Sequence, residues 1–281
     1  MNKRFGVGLL VTFFMTGWSS AWAAECAEQR PITVGVVPQQ APSDLAKAWL
    51  PILARISTLS GCTFRFATAP TIPEFEKRVR QGDYDIAYMN PYHYTVFSKS
   101  PGYVAFAREK GRKLKGLLVA AKAGRIKRME DLNGVKVAFP SPAAFAATII
   151  PIAEMKAAGV EVEPVYVSSH DSVYLNVSRG FYAGGGGIVR TLNAIGPEVR
   201  DKLEVIWESR EYSPHAFAAL PGLKAPVRQA FFDGMAGLET NEAGMEMLRV
   251  LRFKGVEAAE DAEWDSIRAL NLDVIKLNEG Q

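Results

Sequence analysis

Short apolar runs alternate along the chain with longer stretches in which apolar residues return every three or four positions. That is the pattern of strands followed by helices. The runs at 32–37, 63–67, 86–89, 117–121, 135–139, 164–167 and 203–207 read as strands. Between the first two, Leu45, Trp49, Leu53, Ile56 and Leu59 share one helical face, with Ser43 as the expected N-cap, Pro51 as an expected kink and Gly61 as the stop. Thr71-Ile72-Pro73-Glu74 has capping-box spacing and starts a helix ending at Gly82. Residues 126–134 read as a surface turn-helix, Ser141-Pro142 as the cap of a helix reaching Ala158, and 171–179 as another helix. From Ala225 onward the pattern is mostly helical. Two strand–helix sets joined by single strands predict two α/β lobes rather than one large sheet.

One stretch carries more chemistry than the rest. The run 86–89 stops at Asn90-Pro91, a good N-cap followed by a residue suited to the first helical position. A buried strand feeding a helix start presents unpaired N–H groups and a dipole, which together suit an anion. Tyr88, Tyr92, His93 and Tyr94 stand around that point, either to meet a small ligand or to pack a core. The run Gly184 to Gly187 has the same two readings, a close backbone approach to a ligand or a tight strand under a helix. It lacks the lysine and spacing of a phosphate-binding loop.

The N-terminus narrows the setting. Lys3 and Arg4 precede an apolar run, and Ala21-Trp22-Ala23 offers a small-x-small cleavage site, so residues 1–23 read as a secretory signal peptide. The mature chain would begin near Ala24 or Glu25 and act in the periplasm. Loss of Lys3 and Arg4 takes the formal charge from +3 to +1, too small a field to suggest nucleic acid. The basic cluster Lys110, Arg112, Lys113 and Lys115 reads most simply as a solvated loop. Cys26 and Cys62, the only two cysteines, each precede an expected strand, and parallel neighbours would bring them together as a disulfide. With three histidines and no close ligand spacing, a zinc site is not expected, and no cofactor is called for.

Several motifs, in order along nearly the whole mature chain, resemble a known family. They are Val37-Pro38-Gln39-Gln40, Ala69-Pro70 with Phe75-Glu76, Asp85 through Pro91, Val137 through Pro142, and Ser169-His170-Asp171-Ser172. The chain resembles type II periplasmic solute-binding proteins of the phosphate/phosphite/phosphonate-binding family of ABC transport systems. The resemblance implies an α/β protein of two lobes, each a mostly parallel sheet flanked by helices, joined by two hinge strands with the ligand in the cleft. The lobes would take residues 24–120 with 214–281, and 121–213, with crossings near 118–122 and 212–217. A small-molecule ligand and an ABC permease are the implied partners, for a monomeric protein. A ligand-sensing subunit that docks on a membrane histidine kinase is the alternative, and gene neighbours would separate the two.

On this resemblance the cleft gathers Gln39, Tyr88, Met89, Asn90, Tyr92, His93, Ser141, Ala144, Phe145, His170, Tyr174 and His215. His170 stands where family members place a histidine that contacts the phosphonate. The departures are as informative. Ala144 and Phe145 replace a hydroxyl-bearing pair, Ile72 and Met89 replace tyrosines, and acids expected near Ala183 and His215 are missing. Simple phosphonates and inorganic phosphate are therefore expected to bind weakly, and a small organic ligand with an acidic end and an apolar or cationic body is expected instead. An enzyme reading finds little support, because consecutive helical residues such as His170-Asp171-Ser172 face different directions and cannot form a relay.

Overall fold

The computed structural model describes Cys26 and residues 28–272, so the expected signal peptide lies outside the described residues. Ten α-helical segments and eleven strands alternate in it. The first sheet is built from β1 (Ile32–Val36), β2 (Phe64–Ala67), β3 (Ile86–Met89) and β4 (Val104–Glu109), closed by β10 (Ala216–Ala219) and β11 (Val256–Ala258). Its order is β11-β4-β10-β3-β1-β2. The second sheet has β5 (Gly116–Ala121), β6 (Lys136–Phe139), β7 (Glu163–Tyr166), β8 (Gly184–Ile188) and β9 (Leu203–Glu208), in the order β7-β6-β8-β5-β9. Helices α1 (Pro42–Ser60), α2 (Ile72–Gln81), α3 (Pro91–Phe97), α8 (Ala225–Ala236), α9 (Glu242–Leu251) and α10 (Asp265–Arg268) belong to the first lobe. Helices α4 (Ile150–Ala157), α5 (His170–Ser178), α6 (Val189–Ala194) and α7 (Pro197–Arg200) belong to the second.

Both sheets are mixed rather than mostly parallel. Strand–helix–strand units give parallel pairs, β1 with β2 and β3, and β6 with β7 and β8. Where the chain leaves one lobe and later returns, direction reverses, and β4, β10, β5 and β9 pair antiparallel. The two passages meet at an isolated antiparallel bridge, with Leu114 N donating to Tyr212 O at 2.8 Å and Tyr212 N to Leu114 O at 2.9 Å. The first crossing therefore runs through residues 110–115. The stretch 118–122, expected to be that crossing, lies in or directly after β5 within the second sheet, so the lobe boundary expected at residue 120 moves upstream. Strands β4 and β11 were absent from the sequence reading, β11 being only three residues long in a region that reads helical.

Local chemistry explains the helix ends. Thr71 caps α2 and Gly82 ends it in the left-handed conformation, as the spacing predicts. Helix α1 starts at Pro42 rather than from a Ser43 cap. Ala41 precedes it with no side-chain cap of its own, and the helix runs on through Pro51. Ser141 caps nothing: its hydroxyl is buried without a partner, and the segment enters α4 through a π-helical turn, Phe145–Ile149. Cys26 and Cys62 form a disulfide with Cα atoms 4.8 Å apart, pinning the start of the described chain beside β2.

The first lobe has the larger core, centred on Trp49, Tyr88, Phe217 and Phe231, with Tyr88 and Phe217 centroids 4.7 Å apart. The second lobe buries mostly aliphatic side chains around β5, β6 and β8. Residues of the π-helical turn, though carried by the second lobe, are buried in the cluster of the first. The lobes are thus in direct contact across the cleft.

Candidate functional site

Several hydrogen bonds cross between the lobes and define the cleft. The His170 N–H at the start of α5 donates to the Gln39 carbonyl at 3.2 Å. The Asn90 amide donates to the Ala143 carbonyl at 3.1 Å, and the Ala41 N–H donates to Asp171 Oδ2 at 3.2 Å. Asp171 thus supplies, from the opposite lobe, the acceptor that α1 lacks in its own sequence. Arg190, on α6, donates to the Tyr88 hydroxyl at 2.8 Å and to Gln39 Oε1 at 2.6 Å. Gln39 in turn donates its amide to His215 Nε2 at 2.9 Å, so the amide orientation is fixed from both ends.

Two cavities lie in this cleft and share Leu114, Ile188 and His215 as walls. The inner one is lined by Gln39, Asn90, the turn Ala144 to Ala147, and His170. It measures about 10 Å³, room for no more than one water. Among the described residues, no carboxylate lines it. The first-turn amides of Phe145, Ala146 and Ala147 belong to a continuous helical run that starts at Phe145 and ends at Ala157. Such amides have no partner within their own helix. The hydroxyls of Ser141 and Thr148 at this turn are buried, with no hydrogen-bond partner among the described residues. The Asn90 helix start is less available than its sequence implies: α3 has seven residues, and the Asn90 carbonyl and side chain already take the Tyr94 and His93 N–H groups.

The outer cavity, about 210 Å³, sits against the crossing strands and is lined by Glu109, Arg112, Lys113, Lys115, Val189, Arg190 and Pro214. Arg112, Lys113 and Lys115 of the cluster that reads as a solvated loop stand here on a wall of the cleft, while Lys110 pairs with Glu239 at 2.6 Å. Arg112 bonds Glu109 at 3.3 Å, and burial pushes the Glu109 carboxyl up against the pull of Arg190 and Arg112. Burial, reinforced by the Arg190 charge, holds the His170 pKa down at about 3. The same causes keep His215 well below its ordinary value, with His93 and His170 adding to them. Both imidazoles are therefore neutral.

Of the residues expected at the site, Gln39, Asn90, Ala144, Phe145, His170 and His215 are brought together around the inner cavity. Tyr88 stands behind them, stacked on His215 at 5.2 Å and held by Arg190. Ser141 lies beside the turn, its carbonyl accepting from Ala144 N at 3.3 Å, and the other four lie elsewhere. Met89 and Tyr92 are in the first core. His93 is fully buried between Phe75 and Phe97, with its Nε2 3.0 Å from Glu76. Tyr174 clamps β8, its hydroxyl accepting from Ile188 N and donating to Ile188 O, each at 3.1 Å. In His170-Asp171-Ser172 each side chain has its own neighbour, Thr191, Ala41 and Ser169 respectively.

The glycine run is a packing device. A β-carbon on Gly186 would lie 1.8 Å from the Ala147 carbonyl oxygen, one on Gly187 2.1 Å from the Tyr174 hydroxyl, and one on Gly185 2.4 Å from Val173. Only bare backbone lets α5 and the π-helical turn settle on both faces of β8.

A family of ABC transporter periplasmic substrate-binding proteins for phosphonate matches residues 34–264. The chain belongs to this family. This binding protein is also 21% identical to the phosphate-import protein PhnD of Mycolicibacterium smegmatis, with 84% of each chain covered. Its fold matches a binding-protein component of an ABC phosphonate transporter from Pseudomonas aeruginosa, with TM-score 0.80, 19% identity, and 87% and 86% of the two chains covered. It also matches PhnD1 of Prochlorococcus marinus, solved with methylphosphonate, with TM-score 0.77, 17% identity, and 86% and 98% covered.

Arg190 and Glu109 are the site residues that the sequence reading missed. Arg190 follows directly from an apolar strand whose C-terminal end must face the cleft, and a cation at such an end was the available signal.

Proposed function

We propose that this protein captures a small phosphonate-bearing anion in the inner cavity and presents it, with the lobes closed, to an ABC permease. The observation that carries this reading is a cavity lined by Asn90, the first turn of a helical run at Phe145 to Ala147 and two neutral histidines, with no carboxylate among the described residues. Backbone N–H groups hold an anion without burying a countercharge. The cross-lobe bonds of Gln39, Asn90, Asp171 and Arg190 describe the closed state, and a cavity of about 10 Å³ must open before any ligand enters. Rotation about the Leu114–Tyr212 bridge supplies that opening while each sheet stays intact. Relatives named for phosphate import and solved with methylphosphonate support the head-group chemistry, and the family match supports transport over a sensing subunit. The structure argues against the cationic option for the ligand body, because the Arg190 guanidinium already lies 5.6 and 5.5 Å from the Tyr88 and Phe253 ring centres.

Protein unfolded, stripped of carried-over ligand and refolded tests this by calorimetric titration with phosphate, phosphite, methylphosphonate and propylphosphonate, followed by X-ray scattering. We expect weak but saturable binding of the alkylphosphonates, weaker binding still of phosphate and phosphite, and a smaller radius of gyration at saturation. Absence of binding across the series, or binding without compaction, would contradict the reading.

A further inference from the structure

We propose that the outer cavity seats a second acidic group of the ligand, so that the preferred ligands carry a phosphonate-type head and, a short chain away, a carboxylate or second oxyanion. This rests on the inner cavity holding the head. Arg112, Lys113, Lys115 and Arg190 line the outer cavity against one carboxylate, Glu109. That carboxylate is engaged by Arg112 at 3.3 Å, while Lys115 lies 3.9 and 3.8 Å from Glu208 and Glu211.

Lys113 and Arg190 are left without a carboxylate partner among the described residues; Lys113 is exposed, and Arg190 is the half-buried one. Its hydrogen-bond partners are neutral, the Tyr88 hydroxyl and Gln39 Oε1, and its face rests on two aromatic rings. Among the described residues it forms no ion pair with a carboxylate, although Glu109 acts on it through space. A guanidinium has five donors in a planar fork and loses solvation as the lobes close, so an oxyanion beside it satisfies both charge and geometry. The cavity has the room: about 210 Å³ against the roughly 30 Å³ that one water occupies in the liquid. Leu114, Ile188 and His215 wall both cavities, so the two are adjacent and a short carbon chain can run between them. Arg112, Lys113 and Lys115 lie on the crossing segment and Arg190 on the second lobe, so an anion held by both sides favours the closed form over the open one. A ligand ammonium in the same place would face four cations.

The test compares 3-phosphonopropionate with propylphosphonate, which has the same head and length without the carboxylate, by calorimetry on stripped protein. The expected result is binding of 3-phosphonopropionate at least about tenfold tighter, weakened by salt. In Arg190→Gln that advantage should fall to within about twofold, and Arg190→Lys, which keeps the charge and loses the fork, should retain part of it. Far-UV melts establish that both variants are folded, and Lys113→Gln, at an exposed position, gives a milder loss of the same advantage. Equal affinity of the two compounds for the unsubstituted protein, or an advantage unchanged in Arg190→Gln, would overturn the inference while leaving the head site standing. Failure of both compounds to bind would overturn the head site and this inference together.

Discussion

The first lobe turns rings and amide side chains toward the cleft, and the second turns main chain, His170, Asp171 and one arginine. Behind Gln39 and Asn90, Trp49, Tyr88, Phe217 and Phe231 interlock at centroid distances of 4.7 to 6.0 Å. Opposite them, Gly186 and the Ala147 carbonyl come so close that no side chain fits between, a β-carbon there lying 1.8 Å from the oxygen. The difference teaches where rigidity and recognition reside. Large aromatic cores fix the position of one wall through burial, whereas the other is built of small residues and main chain, where we propose that amide groups hold the anion. Arg190 ties the two walls together, and only while they touch.

The sharpest way to break the contrast is to remove a ring from the first wall. Phe217→Ala should cost about 3–5 kcal/mol of stability, read by thermal or urea unfolding. Ligand affinity, measured below the melting range, should change far less.

Acid should weaken the contact between the walls. His170 and His215 are held neutral when folded, with pKa values below their unfolded values, so the unfolded chain binds more protons once pH drops below about 6.5. Stability is then fully present above that pH and falls toward about pH 3, at up to roughly 1.4 kcal/mol per pH unit for each histidine. Both imidazoles line the cleft, so scattering should show expansion from opening before circular dichroism shows unfolding. Stability that is flat between pH 7 and 5 would rule out buried neutral histidines.

On the second wall, Gly186→Ala forces a methyl into the Ala147 carbonyl and should cost roughly 1–3 kcal/mol. Unlike the ring deletion, it should weaken ligand binding as well, because the turn it displaces carries the amides. The smallest effect belongs to His93→Gln, with about 1–2 kcal/mol lost from its contact with Glu76 and affinity for alkylphosphonates unchanged. A loss of affinity in that variant with no loss of stability would move His93 from the core into the site.

Much of the fold was readable because its signals are local. The Thr71 cap, the Gly61 and Gly82 stops and the apolar runs each act within a few residues. Strands β4 and β11 were not, since they owe their pairing to a chain that leaves and returns through the hinge. The site was half legible for a related reason. Aromatic residues near Asn90 look like ligand contacts in sequence, yet Met89, Tyr92 and His93 face inward once α3 docks on α2 and α10. Lys113 and Lys115 look like a solvated loop until the Leu114–Tyr212 bridge sets them beside Arg190. Which lobe a basic residue faces depends on contacts about a hundred positions apart in the chain, and no local pattern encodes that.

A crystal structure of the stripped protein with methylphosphonate tests the central claim most directly. The account predicts phosphonate oxygens within hydrogen-bond distance of the Phe145 to Ala147 amides, with His170 and Asn90 alongside and the cross-lobe bonds of Arg190 in place. A phosphonate lodged against Tyr92, His93 or Tyr174, with the Ala144 to Ala147 turn empty, would contradict it.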